Sequence, residues 1–450
     1  MQDNELLKIA EGEMPRMRAA FDFMLKNPET GFREWKATEY LAAEYEKLGY
    51  ELVRPGDIPG FYTDLDTGRA GPKVLILGEM DGLPVQGHPH ADPVTNAAHA
   101  CGHNAQSAAL LGLAAALKAP GVLDTLSGSI RLCAVPAEEL VELGFREELI
   151  KQGTIAYYGG KQEYLRRGYF DGCDLAFMIH TGGGTHHFQI NLGSNGCIQK
   201  TAIFKGRATH AASPRLGINA LDAATLAMNG INALRTTFRD IDFCRVHPIL
   251  TEAGTAVNSV PSRVVMENQV RGASVEVCKA LNDKVNRATA AGALAMGANV
   301  YLCDRPGYLP GSFNKKLGRL AMDACATIVG AENAVLNADR TRWETGCTDM
   351  SDISAVMPAV HIYGSGSKGA GHGIDYCIDN FDCALGESAK AQLLILTRLL
   401  ENGAAAATDI LSDAKVTFPN KADYFAYLNS LFKDGDAIEY GEDGKITINL

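Results

Sequence analysis

The chain has 450 residues, 46% apolar and 21% charged, a globular composition rather than a disordered one. At ~150 residues per domain, that length calls for two or three domains. Lys plus Arg number 42 against 53 Asp plus Glu, a net charge of −11, which argues against nucleic-acid phosphate as the main partner. The 11 cysteines are scattered from Cys101 to Cys383 with no Cys-x-x-Cys pair. They read as reduced thiols of a cytoplasmic protein, not as a disulfide framework. The first residues show no basic start followed by an apolar run, so no secretory signal is expected. The longest mostly apolar stretch, Ala108 to Leu117, is too short to span a bilayer.

Residues 5–50 read as two helices, led by Leu6, Leu7, Ile9 and Met14 and then by Tyr40, Leu41, Tyr45 and Leu48. Short apolar strands then alternate with helical stretches. The strands are Val74–Leu77, Ile130–Val135, Leu175–Ile179 and Ala359–Tyr363, and Ser107–Leu117 is an Ala/Leu-rich helix. This pattern predicts an α/β domain with a mainly parallel sheet covered on both sides. The middle differs. Cys197–Lys205, Val246–Thr251, Arg263–Arg271 and Ala298–Cys303 read as strands, with helices at Ile218–Leu234 and Val275–Met296. The order β-α-β-β-α-β is that of a ferredoxin-like α+β unit. It predicts an inserted domain over 194–307, bordered by Gly193-Ser194-Asn195-Gly196 and by Pro306-Gly307 with Pro310-Gly311. The larger domain then comprises 1–193 and 308–404, and 405–450 is a polar extension rich in Asp and Lys.

Four segments carry chemistry. In His99-Ala100-Cys101-Gly102-His103-Asn104, a thiol and an imidazole two residues apart can aim inward from a turn as ligands for a transition metal. The plain alternative is a buried cysteine at a helix start. Glu138 and Glu139 directly follow the strand Ile130–Val135. One could bind metal while the other faces a water as general base, or both could be a solvated helix start. His180 ends the strand Leu175–Ile179, and His372 stands in the loop Gly369–Gly373 past Ala359–Tyr363. Taken singly, each of these histidines reads as structural. Asp81 follows the strand Val74–Leu77. In a parallel sheet, all these positions fall at the carboxyl edge, where open α/β sheets bind ligands. Their coincidence at several strand ends favours a shared site. Gly364–Gly369 matches G-x-G-x-x-G, but no helical periodicity follows it, so it is read as the loop that places His372.

These segments resemble the aminoacylase/carboxypeptidase family of two-metal amidohydrolases. The nearest branch is that of the indole-acetyl-amino acid hydrolases and p-aminobenzoyl-glutamate hydrolase. Phe204–Ala212, Asn258-Ser259-Val260-Pro261 and Thr348-Asp349-Met350-Ser351-Asp352 are similar to further motifs of that branch, so the resemblance covers about residues 5–400. It implies that Cys101 bridges two divalent ions and that His103, Glu139, His180 and His372 complete their ligands. It makes Glu138 the general base and Asp81 an orienting group. The inserted domain becomes a lid and dimerisation domain, whose His210 reaches the partner's site to stabilise the oxyanion. Asn258 would hold the substrate, and Arg271, with Arg305 as second choice, its carboxylate. Two departures stand out. Asn104 stands where most of the wider branch has Asp, though p-aminobenzoyl-glutamate hydrolases look similar here, and the stretch of about forty residues between Glu139 and His180 is long for the family.

The expectation is a cytoplasmic, homodimeric amidohydrolase with two Zn²⁺ or Mn²⁺ ions. Softness favours Zn²⁺, and relatives often use Mn²⁺. Its substrate would be a small N-acyl or N-aroyl amino acid, with no nucleic-acid or membrane partner. A dipeptidase with the same centre is the nearest rival. A metal-binding protein without catalysis and a hydrolase using Cys101 as nucleophile are more distant ones.

Overall fold

The computed structural model describes residues 1–337 and 343–450. The chain divides into two compact units. The first comprises Met1–Leu192, Ser312–Arg342 and Asp349–Pro419, the second Gly193–Gly311, Trp343–Thr348 and Asn420–Leu450.

The first unit is built on a seven-stranded sheet. Its centre is four parallel strands in the spatial order Ser129–Val135, Lys73–Glu79, Leu175–Thr181 and Ala359–Gly364. Phe61–Asp66 adds antiparallel on one side, and Phe188–Asn191 antiparallel on the other, followed by Ala334–Asn337. The central strands are buried almost throughout, as expected where helices cover both faces. Helix His103–Leu117 is apolar nearly all round, and every one of its residues is buried.

Three helices, not two, precede the sheet: Asp3–Gly12, Met14–Lys26 and Trp35–Lys47. Pro15 separates the first pair, because proline lacks the N–H that a helix interior needs but fits a first turn. The second helix stops ahead of Asn27-Pro28.

The second unit has the β-α-β-β-α-β order with one refinement. Strand Gly196–Lys205 leads to helix Ala220–Leu234, capped by the Asn219 side chain. The predicted strand Val246–Thr251 is split into Arg245–Val246 and Ile249–Glu252, with Pro248 between them unable to donate to a ladder. Strand Arg263–Gly272, helix Val275–Ala295 and strand Asn299–Pro306 complete the set. Arg263–Gly272 and Gly196–Lys205 lie side by side at the centre of the sheet, all neighbours are antiparallel, and Asn299–Pro306 flanks Gly196–Lys205.

The stretch 405–450 does not stand apart. A helix runs Ser388–Ser412 with a break at Glu401–Ala404, and the first unit continues to Pro419. Beyond it, Lys433–Asp436 joins the second unit's sheet antiparallel to Tyr301–Asp304. Ala437 and Ile438 are buried in that unit's core, and Tyr440 Oη donates to Ala298 O at 2.8 Å. The polar tail therefore closes a sheet edge. Edge strands tolerate such sequences because one side of their ladder faces water. Among the described residues, no helix is long and apolar enough to cross a membrane.

Removing residues 420–450 should uncover the Asn299–Pro306 edge. The expected outcome is a lower melting temperature by calorimetry and concentration-dependent association by light scattering. An unchanged melting profile would show that the added strand contributes nothing to the second unit.

Candidate metal centre

The four central strands run parallel, so their carboxyl ends share one edge, and the sequence-selected side chains of the first unit gather there. Asp81 follows Lys73–Glu79, Glu138 and Glu139 follow Ser129–Val135, and His180 lies one residue from the end of Leu175–Thr181. His372 follows Ala359–Gly364 through a short paired turn, Ser367–Lys368 with Cys377–Ile378. No helix directly follows the glycines of 364–369: residues 370–380 are turns and a short strand. Cys101 and His103 enter from the start of helix His103–Leu117.

Gly102 makes that start possible. Its φ of 90° is left-handed, and a Cβ there would press on Tyr376 Oη and Thr181 O at 2.6 and 2.7 Å. Only glycine satisfies both demands. His372 is itself left-handed, with φ 64°, and its N–H donates to Ala100 O at 2.8 Å. That bond ties the His372 loop to the Cys101 segment.

Two donor groups share one thiol. Cys101, His103 and His180 bring their ligand atoms within 4.8 Å of one another, and so do Cys101, Glu139 and His372. Cys101 Sγ is 3.5 Å from His180 Nε2, and His372 Nε2 is 3.1 Å from Glu139 Oε1. His103 Nε2 is buried with no hydrogen-bond partner. Its other nitrogen is 2.8 Å from Asp81 O and 3.1 Å from Asp81 Oδ1, so Nε2 is left to face the donor group. Asp81 Oδ2 accepts the Glu139 N–H at 2.8 Å. Asp81 thus fixes one member of each group.

Electrostatics sets these donors apart from ordinary side chains. Burial pushes the Cys101 thiol up and Glu139 adds to that, but the His103 and His180 imidazoles outweigh both and bring it down to about 6. Burial also lifts Glu139, yet His372, with His103, holds it at about 2. Glu138 goes the other way. Burial, Glu79, Glu139 and Asp349 raise it well above the usual carboxylate range. A thiol poised to ionise, imidazoles, a low carboxylate and an orphaned buried nitrogen make a donor set that fits a pair of divalent transition metals.

Residues 75–398 match the model of peptidase family M20/M25/M40. The chain belongs to that family. It is 30% identical over 307 residues to the Xaa-Arg dipeptidase of Mus musculus, an alignment covering 65% of this chain and 62% of that protein. It is 32% identical over 260 residues to one of the subunits of p-aminobenzoyl-glutamate hydrolase from Escherichia coli K12, covering 54% of this chain and 48% of that one. The chain therefore spans less than two thirds of either relative. Its fold resembles the crystal structure of an aminobenzoyl-glutamate utilization protein from Klebsiella pneumoniae, with a TM-score of 0.65 and 21% identity, covering 90% of this chain and 100% of that one.

In this M20 chain the remaining sequence-selected residues lie in the second unit. His210 and Asn258 are both exposed and sit on adjoining segments. His210 bridges to Ser259, and the Ala211 N–H donates to Asn258 O at 3.0 Å. Arg271 is not with them. It pairs with Cys197 at the far end of strand Arg263–Gly272, roughly 26 Å along the strand from Arg263, and its Nε donates to Gln269 Oε1 at 3.0 Å. Arg305 is already engaged, with both terminal nitrogens on the Asp434 carboxylate at 2.8 and 2.9 Å.

Further charged groups stand beside the candidate donors, and the sequence reading gave none of them a role. Lys161, fully buried, forms ion pairs with Glu79 and Asp349, and Glu79 Oε2 is 3.3 Å from His103 Nε2. The long segment between Glu139 and His180 supplies Lys161 on helix Gly160–Arg166 and Arg146 on helix Leu143–Lys151. Arg146 donates to the carbonyls of Glu139 and Tyr158. A Cβ on Gly160 would collide with the Pro136 carbonyl oxygen, so this helix presses directly on the turn that carries Glu138 and Glu139.

Asp81→Ala should release His103 and Glu139 together. A loss of about 10–100-fold in metal affinity is expected, read by titrating Mn²⁺ into the metal-free protein calorimetrically. Unaltered affinity would remove Asp81 from its orienting role.

Proposed function

We propose that the protein is a two-metal amidohydrolase that cleaves the amide of small N-acyl or N-aroyl amino acids. The observation that carries this reading is the pair of donor groups meeting at Cys101 with Glu138 beside them. Cys101 would bridge the ions, His103 and His180 would hold one, and Glu139 and His372 the other. When bound, such a pair polarises the scissile carbonyl and makes water acidic enough to attack near neutral pH.

The chain's own residues do the rest. Glu138 takes the proton from the attacking water and delivers it to the departing nitrogen, a role worth ~10²–10⁴-fold. Its raised proton affinity suits both halves of that transfer, since it must accept and then release. Asp81 keeps His103 and Glu139 in register. His210 would donate to the developing oxyanion, typically worth ~10²–10³-fold, and Asn258 would hold the substrate's polar end. In this reading the second unit is a lid through which the chain forms a homodimer, and His210 serves the partner's site. The enzyme works in the cytoplasm, where the Cys101 thiol stays reduced, with Zn²⁺ or Mn²⁺ as native metal.

The substrate class draws on relatives named for p-aminobenzoyl-glutamate and indole-3-acetyl-aspartic acid. Likeness to an Xaa-Arg dipeptidase favours a second reading, a dipeptidase with the same centre. A panel of N-acyl amino acids and dipeptides, assayed at defined metal loading, separates the two.

Glu138→Gln should leave two ions bound, by mass spectrometry, while kcat falls ~10²–10⁴-fold. Full activity in that variant would displace Glu138 as the base. In the unaltered enzyme, Glu138 must be ionised to act, and burial among carboxylates raises its proton affinity. Activity should therefore rise with pH through a midpoint above the ordinary carboxylate range. Exhaustive chelation should abolish turnover and Mn²⁺ should restore it. Turnover that survives complete metal removal would favour Cys101 as a nucleophile.

A further inference from the structure

We propose that Lys161 is a resident cation whose ammonium occupies a third metal-like nest and so keeps Glu138 out of a metal's coordination sphere. The proposal rests on the two-metal reading and adds a residue that reading does not use.

Glu79, Glu138 and Asp349 are all buried, and each offers a carboxylate oxygen within 4.8 Å of the others. Three converging carboxylates are the donor set of a hard divalent cation. Left without a cation, three buried carboxylates at that spacing could not all remain ionised. Lys161 supplies the cation. Its Nζ binds one oxygen of Glu79 and one of Asp349, and its backbone N–H donates to the other Asp349 oxygen at 3.0 Å.

Glu138 stands on the border between this nest and the metal donors. It also groups with His103 and Glu139, and its Oε2 is 4.0 Å from His103 Nε2. A carboxylate in that position can be drawn into a metal's coordination sphere, and a coordinated base cannot collect a proton. An ammonium compensates the charge through hydrogen bonds without coordinating anything.

The stem of Lys161 is firmly rooted. Gly160, the residue before it, donates its N–H to Ala137 O at 3.1 Å and packs on the Pro136 carbonyl with no room for a side chain. The cation and the base are therefore carried by two backbone segments bonded to each other.

The test counts metal ions. Lys161→Met keeps the stem and removes the charge. Metal-free protein is loaded with Mn²⁺, stripped of excess and analysed by mass spectrometry. Two ions per chain are expected for the unaltered enzyme and three for Lys161→Met, with kcat lowered about 10²-fold and KM changed little. Lys161→Met/Asp349→Asn, which dismantles the nest, should return to two. A folded Lys161→Met that binds two ions overturns the proposal whatever its rate. If the Met variant does not fold, Lys161→Gln, which retains a donor for Asp349, takes its place: three ions support the proposal and two overturn it. An unaltered enzyme that fails to bind two ions overturns the two-metal reading instead, so the two failures are distinguishable.

Discussion

Charge balance out of reach of water governs the first unit. Glu79, Asp81, Glu138, Glu139 and Asp349 are all buried at the carboxyl edge of the sheet, where an unpaired carboxylate costs on the order of several kcal/mol or takes up a proton instead. Each negative group is met by a specific positive or polar one, and the site's chemistry follows from how unevenly that is done. Adjacent residues show it best. Glu139 faces His372 and is held at about 2, while Glu138 faces mainly other carboxylates and is driven up. One backbone turn thus carries a carboxylate held as an anion and one of raised proton affinity, which suits the metal-ligand and base roles proposed for them. Separation of two carboxyls by their surroundings is how acid–base roles are commonly divided.

That separation depends on backbone that is hard to build. Ala137, one residue before the pair, has φ 58°, a left-handed conformation costing a non-glycine residue about 1–2 kcal/mol. Its N–H is held by Glu34 Oε1 at 2.7 Å, from the segment ahead of the third helix. Arg146 holds the Glu139 carbonyl from the opposite direction in sequence. The bonds that fix the turn therefore come from both sides of it in the chain. This gives the long segment between Glu139 and His180 a physical purpose: it carries Arg146, Gly160 and Lys161, which brace the turn and balance its charge.

The same physics decides what the sequence could disclose. Parallel-sheet topology converts a one-dimensional cue, a ligand-type residue after an apolar strand, into proximity, so Asp81, Cys101, His103, Glu138, Glu139, His180 and His372 were legible together. Lys161, Glu79 and Asp349 lacked such a cue. Glu79 ends a strand whose more obvious polar follower is Asp81, Lys161 lies in a helix outside the strand pattern, and Asp349 was legible only as part of a family-like motif. Long-range ion pairs leave no periodicity. The final strand was hidden for a related reason: Lys433-Asp434-Gly435-Asp436 has no apolar alternation because it sits at a sheet edge. Arg271 and Arg305 rest on the family resemblance, which does not reveal that Asp434 already occupies Arg305.

The two units differ in how they hold their candidate residues. The first fixes its candidate donors through backbone bonds and ion pairs, with His103 and Glu139 buried, Cys101 and His180 half-buried and His372 exposed. The second leaves His210 and Asn258 exposed, aligned through main-chain bonds such as Val260 N–H to Thr209 O at 2.9 Å rather than through bonds between their own side chains. Exposed polar groups retain water until a ligand replaces it, and the exchange yields most when the site is dry at that moment. Groups that hold charge at the sheet edge are fixed by paired neighbours, whereas groups proposed to act on a transient oxyanion or a substrate's polar end can stay in water until needed. The candidate metal donors fall at the carboxyl edge of the first unit's sheet, and the residues proposed to meet substrate fall in the inserted unit.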